Sequence, residues 1–118
     1  MNVNEFYNAV GGDYNDVLER LQNDAAIKKF LMMLNRDKNM EMLTEAIRTS
    51  DTEKAFRAAH TLKGIALNLS LSAFADVCSN MTEMLRNKDV MPKEAVEMYD
   101  DVNGQYSKII DLLKELEA

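Results

Sequence analysis

Ala55, Ala59, Leu62, Ala66 and Leu69 recur at alternating spacings of four and three. That rhythm matches one face of an α-helix and no strand periodicity, so it predicts a helix with an apolar stripe through the middle of the chain. At roughly 100° per residue, His60 falls roughly 140° from the centre of the stripe and Gly64 roughly 180°. The only histidine of the chain is therefore expected to face away from the core. Lys63 follows it by one turn, within reach of a shared ligand. An outward imidazole, a neighbouring cation and a position without a side chain form a small open nucleophile site.

The remaining helices are read in the same way. A short amphipathic helix is expected from about Asn2 to Ala9, with Phe6 and Val10 one turn apart, and Gly11-Gly12 ends it. A second runs from about Tyr14 to Leu21, with Val17, Leu18 and Leu21 inward. Asn23-Asp24 offers an N-cap for a long helix from about Ala25 to Thr49, carrying Ile27, Phe30, Leu31, Leu34, Leu43 and Ile47. Its middle, Asn35 to Asn39, is polar on all sides and is either an exposed turn of helix or a kink. Ser50 or Asp51 caps the histidine helix, which runs to about Asn68. Ser70 or Ser72 caps the next, which reaches about Asn87 with Phe74, Val77, Cys78, Met81 and Leu85 on one face. Pro92 suits the first turn of a last helix to about Leu116, with Val96, Tyr99, Tyr106, Ile110 and Leu113 in register. Amphipathic helices joined by short loops predict an all-α, antiparallel four-helix bundle with short additional N-terminal helices. One domain is expected over residues 1–118, its bundle core at about 24–117.

Composition narrows the function. Fourteen basic and 20 acidic residues give a net charge of −6, which disfavours nucleic acid as a partner. A single cysteine, Cys78, forms no internal disulfide, and the expectation is that it is buried and inert. Met1 to Val10 lacks the basic and apolar regions of a signal peptide, and no stretch is long enough to span a membrane. A soluble, cytoplasmic, monomeric protein is expected. The nine methionines fit helix-packing gaps rather than a metal site. A di-metal bundle needs several inward Glu and His ligands, and this chain has one histidine, facing out. No nucleotide-binding Gly-rich motif is present, so no ATP-dependent kinase activity is expected.

Ala59-His60-Thr61-Leu62-Lys63-Gly64, followed by Ile65-Ala66-Leu67-Asn68-Leu69-Ser70, resembles the motif of the histidine-containing phosphotransfer (HPt) domain. That pattern runs Ala-His-x-Leu-Lys-Gly, then a short run of small residues and Asn-Leu-Gly. Ile65 stands where a small residue is usual, and Ser70 where glycine is usual. The order and lengths of the helices also match, over most of the chain. The resemblance implies that His60 accepts a phosphoryl group, on the ring nitrogen remote from the side-chain attachment, from an aspartate of a receiver domain. It implies response-regulator receivers as partners, a hybrid sensor histidine kinase among the candidates, and a receiver that brings the Mg²⁺. This chain then needs no cofactor and is a phosphoryl carrier rather than a self-sufficient enzyme. Lys63 would assist by its charge and Gly64 by leaving access. Phe56, Arg57 and Leu67 flank His60, Arg86 lies late in the following helix, and these four are the candidates for partner docking. The alternative is a non-catalytic bundle, a degenerate HPt domain that binds receivers without relaying phosphate.

Overall fold

The computed structural model describes residues 1–116 and contains, among them, seven helices: α1 (Val3–Val10), α2 (Tyr14–Leu21), α3 (Asp24–Leu34), α4 (Asn39–Arg48), α5 (Thr52–Asn68), α6 (Ser72–Leu85) and α7 (Lys93–Leu113). Helix α5 packs on α4 and α6, α6 packs on α7, and α7 closes back on α4. The result is an elongated helical bundle, 43 × 23 × 19 Å. Helices α1 and α2 lie against α3 and each other, and α1 also touches α7. One hydrophobic cluster draws residues from all seven helices, from Val3 to Leu113. The expected last position of the bundle core, 117, lies outside the described residues.

Local chemistry sets where most helices begin. Asn2 and Glu5 form a reciprocal capping box at α1, and Asp13, Asn23 and Asp51 accept the backbone N–H of Asp16, Ala26 and Lys54 at the starts of α2, α3 and α5. Gly11 ends α1 at φ 71°, and a Cβ on Gly12 would lie 2.6 Å from the Tyr7 ring and 3.0 Å from the Ser70 carbonyl oxygen. The first glycine thus supplies the left-handed turn, and the second lets the chain pass close to the end of α5.

The expected long helix from Ala25 to Thr49 is two helices. Asp37 Oδ1 accepts the backbone N–H of Asn39 at 2.7 Å and its side-chain amide at 2.9 Å. A carboxylate that caps locally competes with continuous helical bonding, and the polar segment has no apolar face to hold it straight. Phe30, placed inward by its periodicity, is 40% exposed. In α7 the buried positions are Ala95, Val102, Ile109 and Leu113. Val96 is 47% exposed, and Tyr99, Tyr106 and Ile110 are half-buried. Tyr99 and Tyr106 sit on the edge of the stripe, with the Tyr99 hydroxyl 2.7 Å from Thr44 Oγ1. Val96 and Ile110 each follow a buried residue, which swings them roughly 100° outward. Helix α7 ends at Leu113 rather than near Leu116, and α6 at Leu85 rather than near Asn87.

Neither Ser70 nor Ser72 caps α6; its N-cap is Leu71, with no side-chain cap bond. Ser70 instead closes α5. It takes φ 53°, and the N–H groups of Ser70 and Leu71 donate to the Leu67 and Ala66 carbonyls, a Schellman turn. The position usually held by glycine is thus left-handed here as well, with a Cβ present. The Ser70 hydroxyl donates to Asp16 Oδ2 at 2.6 Å and accepts from Arg20 Nη1 at 2.9 Å. Arg20 Nη1 also donates to the Asn68 carbonyl at 2.8 Å, and the Tyr7 hydroxyl donates to the Leu69 carbonyl at 2.7 Å. The two N-terminal helices therefore stitch down the end of the histidine helix.

Candidate functional site

Helix α5 sits centrally because its inner face is small. Ala55, Ala58, Ala59, Leu62 and Ala66 are all fully buried, which lets α4 and α6 approach on either side. The expected stripe, including Leu69 at 6% exposure, is the core face. His60 is exposed on the opposite side, and Gly64 beyond it has no atom within 4 Å of where a Cβ would stand. Lys63 is half-buried, and its ammonium makes no hydrogen bond or salt bridge among the described residues. Neither ring nitrogen of His60 is hydrogen-bonded within the described chain, so both remain open to a partner.

The imidazole is nevertheless held. Phe56, one turn earlier, stacks on it with centroids 5.9 Å apart and planes 6° from parallel. The Arg86 guanidinium lies over the other ring of the pair, its Cζ 5.1 Å from the Phe56 centroid. Arg86 in turn donates from Nη2 to Glu83 Oε1 at 3.0 Å and from Nε to Glu83 Oε2 at 3.2 Å. The Glu83 carboxyl is held below the usual carboxylate range, first by the hydrogen bond from Arg86 and then by the Arg86 charge, with smaller contributions from Lys63 and His60. Two helices thus bring five side chains together: His60, Phe56 and Lys63 from α5, Glu83 from α6, and Arg86 from the C-cap of α6.

The Hpt domain family model matches residues 25–118. The chain belongs to the Hpt domain family. Such domains carry out histidine phosphotransfer in two-component systems and interact with receiver domains. No curated protein and no solved structure gives a match. The Hpt match begins after α1 and α2, so the residues that clamp Ser70 lie outside it.

The four flanking candidates of this Hpt domain divide. Phe56 and Arg86 join His60 in one array, while Leu67 is a 54% exposed apolar side chain two turns beyond. Arg57 is exposed, and no hydrogen bond or ring contact ties its side chain to His60. Two features were missed. Glu83 was overlooked, although its spacing of three from Arg86 on one helix is a sequence signal for an ion pair. A groove of about 390 Å³ also opens beside the end of α5, walled by Phe30, Met33, Ile65 and Leu69 with Arg20 at its edge. The unusual Ile65 is one of its walls, and the exposed Phe30 another. Cys78 is buried as expected, and burial pushes its thiol up to about 12. Among the described residues no helix is long and apolar enough to cross a membrane, and no three His, Cys, Asp or Glu side chains gather as a metal would need.

Proposed function

We propose that His60 is the phosphoacceptor of this Hpt domain and exchanges a phosphoryl group with receiver aspartates. The observation that carries the reading is the exposed, stacked imidazole beside the open space at Gly64. Neutral imidazole has a nitrogen lone pair available near neutral pH. That pair attacks the phosphorus of an aspartyl phosphate. A P–N bond forms at Nε2 as the P–O bond breaks, and its electron pair leaves with the aspartate carboxylate. The imidazole keeps its Nδ1 proton through the step, so charge balances without a base. Reversal returns the phosphoryl group to a carboxylate. Lys63, half-buried one turn away, supplies positive charge for the phosphoryl oxygens, in a reaction that depends on alignment and neutralisation. The Mg²⁺ and the remaining catalytic groups come from the receiver, which docks over Phe56, Leu67 and the groove at Phe30 and Met33, with Arg57 and Arg86 at the rim. The chain acts as a monomer and as one domain.

Incubation with a phosphorylated receiver should label the chain in an acid-labile form, whereas ATP and Mg²⁺ alone should not. His60→Gln should keep the helical circular dichroism spectrum and lose the label. Label retained by His60→Gln would place the phosphoryl group elsewhere. Receiver binding without labelling of the wild type would make this a docking bundle that does not relay phosphate.

A further inference from the structure

The array around His60 contains an anion as well as cations. Glu83 engages Arg86 through two hydrogen bonds, at 3.0 and 3.2 Å, and the guanidinium also lies over the Phe56 ring, its Cζ 5.1 Å from the centroid. The same ring stacks on His60. Arg86 is thus one aromatic ring away from the nucleophile, with its charge already committed. Both side chains remain partly in water, at 44% exposure for Arg86 and 58% for Glu83, so the pair can exchange partners without unpacking the bundle.

Phosphorylation changes the local charge abruptly. A phosphoryl group adds about −1.5 to −2 charges at neutral pH and presents strong acceptors that favour a guanidinium. On His60 it meets the Glu83 carboxylate as a repulsive neighbour and as a competitor for Arg86. The field runs both ways, since the Lys63 charge already favours the ionised Glu83 carboxyl.

We propose that Glu83 is a positioning residue that sets the phosphoryl-transfer potential of His60: by holding Arg86 and by its own charge, it raises the free energy of the phosphorylated domain and favours onward transfer. The proposal rests on His60 being the phosphoacceptor. Without Glu83, Arg86 is free to pair with the phosphoryl oxygens, and the domain retains the group.

The test uses the full chain and a receiver domain charged with radiolabelled acetyl phosphate. The quantity read is the transfer equilibrium constant, taken from the ratio of forward to reverse kcat/KM, in which docking affinity cancels. Glu83→Gln should move this constant toward phosphorylated His60 by roughly two- to fivefold, the range of a partly exposed charge interaction. The shift should shrink as salt rises. Measured against Arg86→Ala, the Glu83→Gln/Arg86→Ala double variant should show less than half of this shift, because only the loss of the Glu83 charge then acts. An unchanged constant in Glu83→Gln, or one moved toward the receiver, overturns the proposal, as does a full shift that persists without Arg86. A wild type that takes no label overturns the phosphoacceptor reading and this one with it. A labelled wild type with an indifferent Glu83→Gln overturns this one alone.

Discussion

Ser70 donates its hydroxyl hydrogen to the Asp16 carboxylate at 2.6 Å, across a sequence separation of 54 residues. The contact compensates for a backbone at φ 53° that a glycine would adopt freely. It also fastens the N-terminal helices to the end of the histidine helix, since Arg20 bridges both partners.

A stability order follows from this pair. Ser70→Ala loses the hydroxyl and keeps the strained Cβ, so it should destabilise by about 1–2 kcal/mol. Ser70→Gly loses the same hydroxyl but relieves about 1 kcal/mol of backbone strain, so it should fall between wild type and Ser70→Ala. The Asp16 carboxyl is held below its ordinary range, first by the Ser70 hydrogen bond and then by Arg20. A depressed carboxylate stabilises the fold above its unfolded pKa and ceases to do so as pH falls through its folded value. The gap between wild type and Ser70→Ala in urea unfolding should therefore narrow below about pH 4. A gap independent of pH would separate the Ser70 contribution from Asp16.

This clamp also marks where sequence reasoning stops. The α5 stripe was legible because five apolar residues repeat on one helix, and the outward direction of His60 follows from that periodicity alone. The caps of α3 and α5, at Asn23 and Asp51, were legible because donor and acceptor lie three residues apart, whereas neither serine expected to cap α6 does so. Asp16 and Arg20 pair at a spacing of four on one helix, but their meeting with Ser70 carries no such signal, because it depends on how α2 folds back. In α7 the apolar residues outnumber the buried positions, so Val96 and Ile110 fitted a register shifted by one residue from the observed face. Phe30 is aromatic and in phase with the core stripe, yet it lines an open groove, and periodicity alone does not distinguish the two. Phe56 and Arg86 could be named as neighbours of His60, but the contact of Arg86 with the Phe56 ring depends on the α5–α6 packing distance.

Lys63 tests the charge of the site. The side chain is half-buried, and its ammonium makes no hydrogen bond or salt bridge among the described residues. Lys63→Met keeps the stem and removes the charge, so its melting temperature should stay close to that of the wild type. Transfer from a phosphorylated receiver should slow by roughly ten- to a hundredfold, the range of one charge-assisted hydrogen bond in the transition state. Stopped-flow transfer at saturating receiver isolates that step from docking. Equal rates for the variant and wild type would make Lys63 an ordinary surface lysine.

Gly64 and Gly104 form an internal control. Each lies inside a long helix, α5 or α7, is exposed, and has no atom within 4 Å of a potential Cβ. Glycine in a helix interior costs about 0.5–1 kcal/mol relative to alanine, and neither site has a packing reason to accept that cost. Gly64→Ala and Gly104→Ala should therefore both raise the melting temperature. Glutamine is a good helix former with a long side chain, so Gly64→Gln and Gly104→Gln should both fold. Function should separate them. Gly64 stands one turn beyond His60, where a glutamine side chain would project into the space an incoming phosphoryl group must cross. Gly64→Gln should then slow transfer roughly tenfold or more, since small displacements from an in-line geometry carry penalties on that scale. Gly104→Gln should transfer at the wild-type rate. Equal transfer in both glutamine variants would reduce Gly64 to plain surface, and unfolding of Gly64→Gln would mean that this face packs against something after all.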